Sequence, residues 1–210
     1  MRLLGFVLYL CAVILRYADV HGFKATLGRV YRENEGGLQD EVPACLTECL
    51  IAAEDKRFYR HRGIDFYSLA RAVYRRATAG ERIGGVSTLE QQFVRVLTGR
   101  REYSLGRKAR ELILSTTVES VVPKADIPRL YMVVAYFGWS MNGIHQACRR
   151  QGWRLDELSL VQAASLVARL KYPEPEKPSL EQMIKINGRQ EYILRELNNR
   201  GRETYGTDNV

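Results

Sequence analysis

Cysteine is scarce in this chain. Four occur among 210 residues, Cys11, Cys45, Cys49 and Cys148, and none forms a C-x-x-C pair. That removes support for zinc-ligand motifs, redox motifs and a disulfide framework. Cys45 and Cys49 lie one helical turn apart and read as small core residues. Six prolines and no low-complexity stretch argue against long disorder. There is no internal repeat, and period-2 alternation is nearly absent, so no β class is supported. The apolar run Leu3 to Leu15 is shorter than the roughly 20 residues of a spanning helix. The stretch "RIGGVSTLEQQFVR", Arg82 to Arg95, has the glycines of a phosphate cradle but not the P-loop lysine. "SMN", Ser140 to Asn142, has no accompanying S-x-x-K or K-T-G.

Positive charge is in excess. The formal net charge is +8 and the pI about 9.4, which calls for an anionic partner: nucleic acid, an anionic membrane surface or a phosphorylated substrate. The basic residues are scattered and form no nucleic-acid-binding module, so no nucleic acid partner is expected. A hydrophobic content of 46% suits one domain with a sizeable core. Residues 1–22 read as a signal peptide, a membrane anchor or a buried helix, residues 23–42 as a linker, and residues 43–210 as the main domain. Arg16, Lys24, Arg29 and Arg32 follow the apolar run and only Arg2 precedes it; by the positive-inside rule an anchor would leave the later residues in the cytoplasm.

The remaining pattern is helical. From Pro43, the residues Leu46, Leu50, Glu54 and Phe58 recur at i, i+4 and predict one stripe ending at Gly63. A second helix follows from Asp65 to Gly80, with Leu69, Ala70, Val73 and Tyr74 on one face. Ser87 or Thr88 caps a third, stopped by Gly99. A fourth is expected from Ser104 to Val122, and another from Pro128 through "YFGW". The last covers "SLEQMIKINGRQEYILRELNNRG", with Gly188 a weak point. The predicted class is mainly α.

Two carboxylates border apolar faces. Glu54 extends the Leu46–Leu50 stripe, where desolvation would raise its pKa and make it a better base; spacing alone equally suits a helix-border Glu paired with Arg or Lys. Glu111 closes "RKARE" at ion-pair spacing from Arg107 and Lys108 and opens the apolar run "LIL". The glycine-preceded helix start at Ser87 offers free N–H groups for an anion, assisted by Arg95, Arg107 and Lys108. His61 and Asp65 are too few for a metal set.

These pieces occur in a recognisable order. "EDKRFYRHRGID" resembles the E-D-x-x-F-x-x-H-x-G-x-D motif of the peptidoglycan glycosyltransferases of family 51, at Glu54, Asp55, Phe58, His61, Gly63 and Asp65. "GGVSTLEQQ" is similar to G-[GA]-S-T-I-x-Q-Q at Gly85, Ser87, Thr88, Gln91 and Gln92. "RKARE" matches R-K-x-x-E. The segment from Tyr131 to Ala147 resembles a fourth motif, and Arg189 fits a weaker last one. The resemblance implies a lysozyme-like, two-lobed, mainly α fold, with a catalytic cleft and a smaller lobe, including residues 66–80, that dips into the membrane. It implies polymerisation of lipid II into glycan strands with release of undecaprenyl pyrophosphate, by a monofunctional enzyme at the outer or periplasmic face of the cell membrane. Lipid II, the growing glycan chain, the membrane and cell-wall synthesis proteins are the implied partners.

By the same resemblance Glu54 is the base, and Glu111 orders the basic residues or a divalent ion (Mg or Mn) near the pyrophosphate. No cofactor is otherwise required. Arg95, Arg107 and Lys108 neutralise the leaving group, and Ser87, Thr88, Gln91 and Gln92 bind the donor. Asp55, Phe58, His61 and Gly85 support the site. The chain departs from the family at Val86, Glu90, Val96, Tyr103 and Val133, and Glu90 is expected to add negative charge beside the donor. Two alternatives stand beside this reading: a weak homologue that binds lipid II or assembly partners, and a lysozyme-type glycan hydrolase, which also uses two carboxylates.

Overall fold

The computed structural model describes residues 19–36, 42–80, 85–99 and 104–206, with side chains to residue 200. The apolar run Leu3–Leu15, Cys11, residues 37–41 of the linker, residues 82–84 and Tyr103 lie outside the described residues. The mainly α class holds: among the described residues helices dominate, and one two-stranded hairpin accompanies them. In chain order the helices are α1 (Val20–Asn34), α2 (Ala44–Glu54), α3 (Phe66–Ala79), α4 (Leu89–Thr98), α5 (Leu105–Ser115), α6 (Ile127–Val134), α7 (Ile144–Gln151), α8 (Leu160–Lys171) and α9 (Leu180–Gly206). The chain divides into two compact units. Of the described residues, unit 1 holds those up to Asn34 and from Arg57 to Ile127; unit 2 holds those from Glu35 to Lys56 and from Pro128 onward.

In unit 1, α4 packs on both α5 and α1. The core gathers Phe23 and Leu27 of α1, Leu89, Phe93 and Val94 of α4, and Leu114 of α5. The expected linker is therefore corrected over its first part: residues 23–34 are helical and bury apolar side chains. Tyr31 Oη fastens α1 by donating to Asp126 Oδ2 at 2.8 Å. α5 stops at Ser115 rather than Val122. Its end carries Ser115, Thr116 and Thr117, whose hydroxyls bond back to the carbonyls of Leu112, Ile113 and Leu114; such local bonds compete with the helix. α3 is capped by Asp65, which accepts from Ser68 N, and closes at Gly80 in the left-handed conformation. On it Phe66, Tyr67, Val73 and Tyr74 are all exposed, with the Arg57 guanidinium 4.3 Å from the centre of the Tyr67 ring.

In unit 2, α2, α8 and α9 pack against one another, and α7 lies on the hairpin. Alanines at 163, 164 and 168 in α8 are buried, as are Leu46, Cys49 and Leu50 of α2 and Ile186 and Ile193 of α9. The helix expected to run through "YFGW" instead ends at Val134, and Tyr136–Gly138 pairs antiparallel with Met141–Asn142. Gly138 has φ 145°, and a Cβ there would lie 2.2 Å from the carbonyl oxygen of Glu174. That close approach lets Trp139 N donate to Glu174 O and Glu174 N donate to Phe137 O. α9 runs unbroken through Gly188. α2 ends at Glu54, because Asp55 leaves the helical region at φ −151°; the stripe expected to reach Phe58 stops one turn short. Among the described residues no helix is long and apolar enough to cross a membrane.

Candidate active site

The predicted anion site begins with the turn before α4. Gly85 takes φ 67°, which a side-chain-bearing residue rarely adopts. Thr88 is the N-cap: its Oγ1 accepts from Gln91 N at 3.3 Å and donates to Gly63 O at 2.7 Å. Ser87 is not the cap; its Oγ accepts from Lys108 Nζ at 3.1 Å. Gln91 joins two elements, with Nε2 donating to Gly63 O at 3.3 Å and Oε1 accepting from Lys108 Nζ at 2.7 Å. Gln92, next along the turn, is half-buried.

α4 and α5 then bring three cations around one carboxylate. Glu111, 3% exposed, accepts from Arg95 Nε at 2.9 Å, Arg95 Nη2 at 3.3 Å and Arg107 Nη1. Lys108 Nζ stands 3.6 Å from Glu111 Oε2. Burial opposes ionisation of Glu111, but the Arg95 hydrogen bonds and the charges of Arg95, Arg107 and Lys108 outweigh it and hold the carboxyl below its usual range. Burial, with the charges of Arg95 and Arg107, lowers the Lys108 ammonium against the pull of Glu111. Among the described residues of this cluster three positive charges meet one negative, an excess that suits an anion at the solvent side of Arg95 and Lys108. The expected divalent ion does not fit Glu111: its oxygens face guanidinium and ammonium groups, a donor set that repels a metal ion.

Phe58 and His61 also belong to unit 1, and both side chains are buried. Their rings meet edge to face at 6.3 Å. Glu90 corrects an expectation. It does not add negative charge at an open donor surface. It is fully buried, and its Oε1 accepts from Lys124 Nζ, with His61 Nδ1 at 3.9 Å. Lys124 was missed because a lone lysine after a proline carries no spacing signal.

Glu54 and Asp55 belong to unit 2. Asp55 is buried. Glu54 closes α2, with its side chain 17% exposed, and pairs with Arg189 Nη2 of α9 at 2.9 Å. The same nitrogen donates to Ala53 O at 2.7 Å. Glu54 thus has the cationic partner that the spacing equally suited, a helix-border Glu paired with an arginine.

The geometry thus assembles Ser87, Gln91, Arg95, Arg107, Lys108 and Glu111 in one unit, in the order of the sequence motifs. The family model described as Transglycosylase matches residues 24–198. The chain belongs to the transglycosylase family. Among curated relatives, penicillin-binding protein 1F of Bacillus subtilis is 33% identical over 174 residues, covering 82% of this chain and 24% of that protein. Penicillin-binding protein 1A of Rickettsia typhi is 32% identical over 159 residues, covering 74% of this chain and 20% of that protein. A Cupriavidus necator protein named as a candidate transglycosylase is 34% identical over 167 residues, covering 79% of this chain and 71% of the relative. This transglycosylase chain spans a quarter or less of the two penicillin-binding proteins it matches.

Proposed function

We propose that the chain is a peptidoglycan glycosyltransferase that polymerises lipid II. The acceptor sugar's 4-hydroxyl oxygen attacks the anomeric carbon of the donor, and its proton passes to the Glu54 carboxylate. The bond from that carbon to the pyrophosphate breaks with inversion, and the electron pair leaves on undecaprenyl pyrophosphate. Arg95, Arg107 and Lys108 stabilise the charge that develops there. Glu111 holds these cations in place, and no step is routed through a divalent ion. The observation that carries this reading is the Arg95–Arg107–Lys108 cluster around a buried Glu111, beside the capped start of α4.

The membrane is the proposed setting. The exposed Phe66, Tyr67, Val73 and Tyr74 of α3, with Arg71, Arg75 and Arg76 on the same helix, suit contact with an anionic lipid surface. Labelled lipid II incubated with the full chain tests the reading: glycan polymer is expected from the wild type and not from Glu54→Gln. A second reading, a lipid II binder with little turnover, is favoured by the ion pair that engages Glu54 with Arg189. Binding of lipid II without polymer would select it.

A further inference from the structure

Lys124 lies in none of the motifs, yet its ammonium group joins several parts of unit 1. Nζ donates to His61 O at 2.8 Å, to Glu119 Oε1 at 2.9 Å and to Glu90 Oε1, and it lies 4.1 Å from the centre of the Phe58 ring. Glu90 stands in the first turn of α4, next to Gln91. From that turn Thr88 and Gln91 both grip the carbonyl of Gly63. Two carbonyls of one short loop, His61 and Gly63, are therefore tied to the start of α4, one directly and one through Lys124 and Glu90. The loop has no slack on its other side: a Cβ on Gly63, at φ 81°, would lie 2.3 Å from Ser115 O.

The same start of α4 holds Lys108, through Ser87 Oγ and Gln91 Oε1. We propose that Lys124 and Glu90 form a positioning pair for the anion-binding cluster, fixing the first turn of α4 so that Ser87 and Gln91 present the Lys108 ammonium. This rests on the proposed function for the identity of the anion. The pair is a poor device for stability alone. Glu90 is wholly buried and among the described residues its Oε2 has no hydrogen-bond partner, and a buried ion pair often does no better than a neutral pair of similar volume. Its geometric role is to hold an orientation, with the ammonium arm spanning from the helix to the loop.

The test uses the full chain, with inorganic pyrophosphate as the probe in calorimetry and lipid II as the substrate in kinetics. Lys124→Met alone leaves Glu90 buried without its cation, and it should lower the melting temperature. The double variant Glu90→Gln/Lys124→Met removes both charges and should melt close to the wild type, while the pyrophosphate Kd and the lipid II KM each rise about fivefold and kcat stays within about twofold. A purely structural role predicts wild-type Kd and KM in the folded double variant, and that result overturns the proposal. Should the double variant fail to fold, Glu90→Asp, which keeps the charge and shortens its reach, should show the same rise in Kd; an unchanged Kd overturns the proposal. A wild type that binds pyrophosphate with the predicted shifts but makes no polymer refutes the proposed function alone. Polymerisation with an unshifted Kd and KM in the variant refutes the positioning role alone. A wild type that binds no pyrophosphate refutes both.

Discussion

Replacing Glu111 by Gln keeps the side chain's shape and removes the negative charge that Arg95, Arg107 and Lys108 share. The Arg107–Glu111 pair is the most enclosed of the three contacts, with side chains 12% and 3% exposed. Removing one partner of a buried pair costs roughly 3 kcal/mol at the lower end of the usual range. Arg95 and Lys108 are 39% and 37% exposed, so water screens their share, about 1 kcal/mol or less each, and also rehydrates them in the variant. A loss of about 3–5 kcal/mol at pH 7 follows, or roughly 6–20 °C in Tm. The pH dependence has a definite sign. Glu111's folded pKa is depressed, so its contribution is fully present above the unfolded value of about 4.3 and is lost as pH falls through the folded value. Urea unfolding of wild type and Glu111→Gln at pH 7 and near pH 3 measures this: the difference should shrink at the lower pH. Equal stability at pH 7, or a difference that persists undiminished in acid, would refute the reasoning.

Gly63→Ala places a Cβ 2.3 Å from Ser115 O at a positive φ, and thermal unfolding should show a loss of about 2 kcal/mol or more. Thr88→Ala removes both the cap of α4 and a bond to Gly63 O, so chemical denaturation should show a loss of about 1–2 kcal/mol. Burial pushes the Cys49 thiol up to about 12 and the Cys148 thiol to about 11; mass spectrometry after iodoacetamide treatment of the folded protein at pH 8 should find both unlabelled, and labelled once unfolded.

The helices were legible because their signals are local. Thr88, Ser104 and Ser159 sit at N-caps, and Gly80 and Gly99 end helices in the left-handed conformation. Glu111 with Arg107 and Lys108 was readable for the same reason, since i, i+4 and i, i+3 pairs need only one helix. The hairpin was not: strands of three and two residues are too short for a period-2 pattern, and they depend on Glu174, far along the chain. The Arg95–Glu111 contact needed the packing of α4 on α5. Arg189 was placed in a motif but not opposite Glu54, 135 residues away, and nothing in local spacing pairs Lys124 with Glu90. Covering residues 23–34 also required tertiary packing, because their apolar content is thin without α4 to bury it.

The central claim is that Glu54 is the base of a lipid II polymerase. Polymer formed from labelled lipid II by wild type and Glu54→Gln, compared at equal folded protein and with lipid II binding measured alongside, tests it most directly. Long glycan is expected from the wild type, and from the variant a rate lower by about 10²–10⁴-fold with lipid II still bound. Polymerisation by Glu54→Gln at the wild-type rate would contradict it.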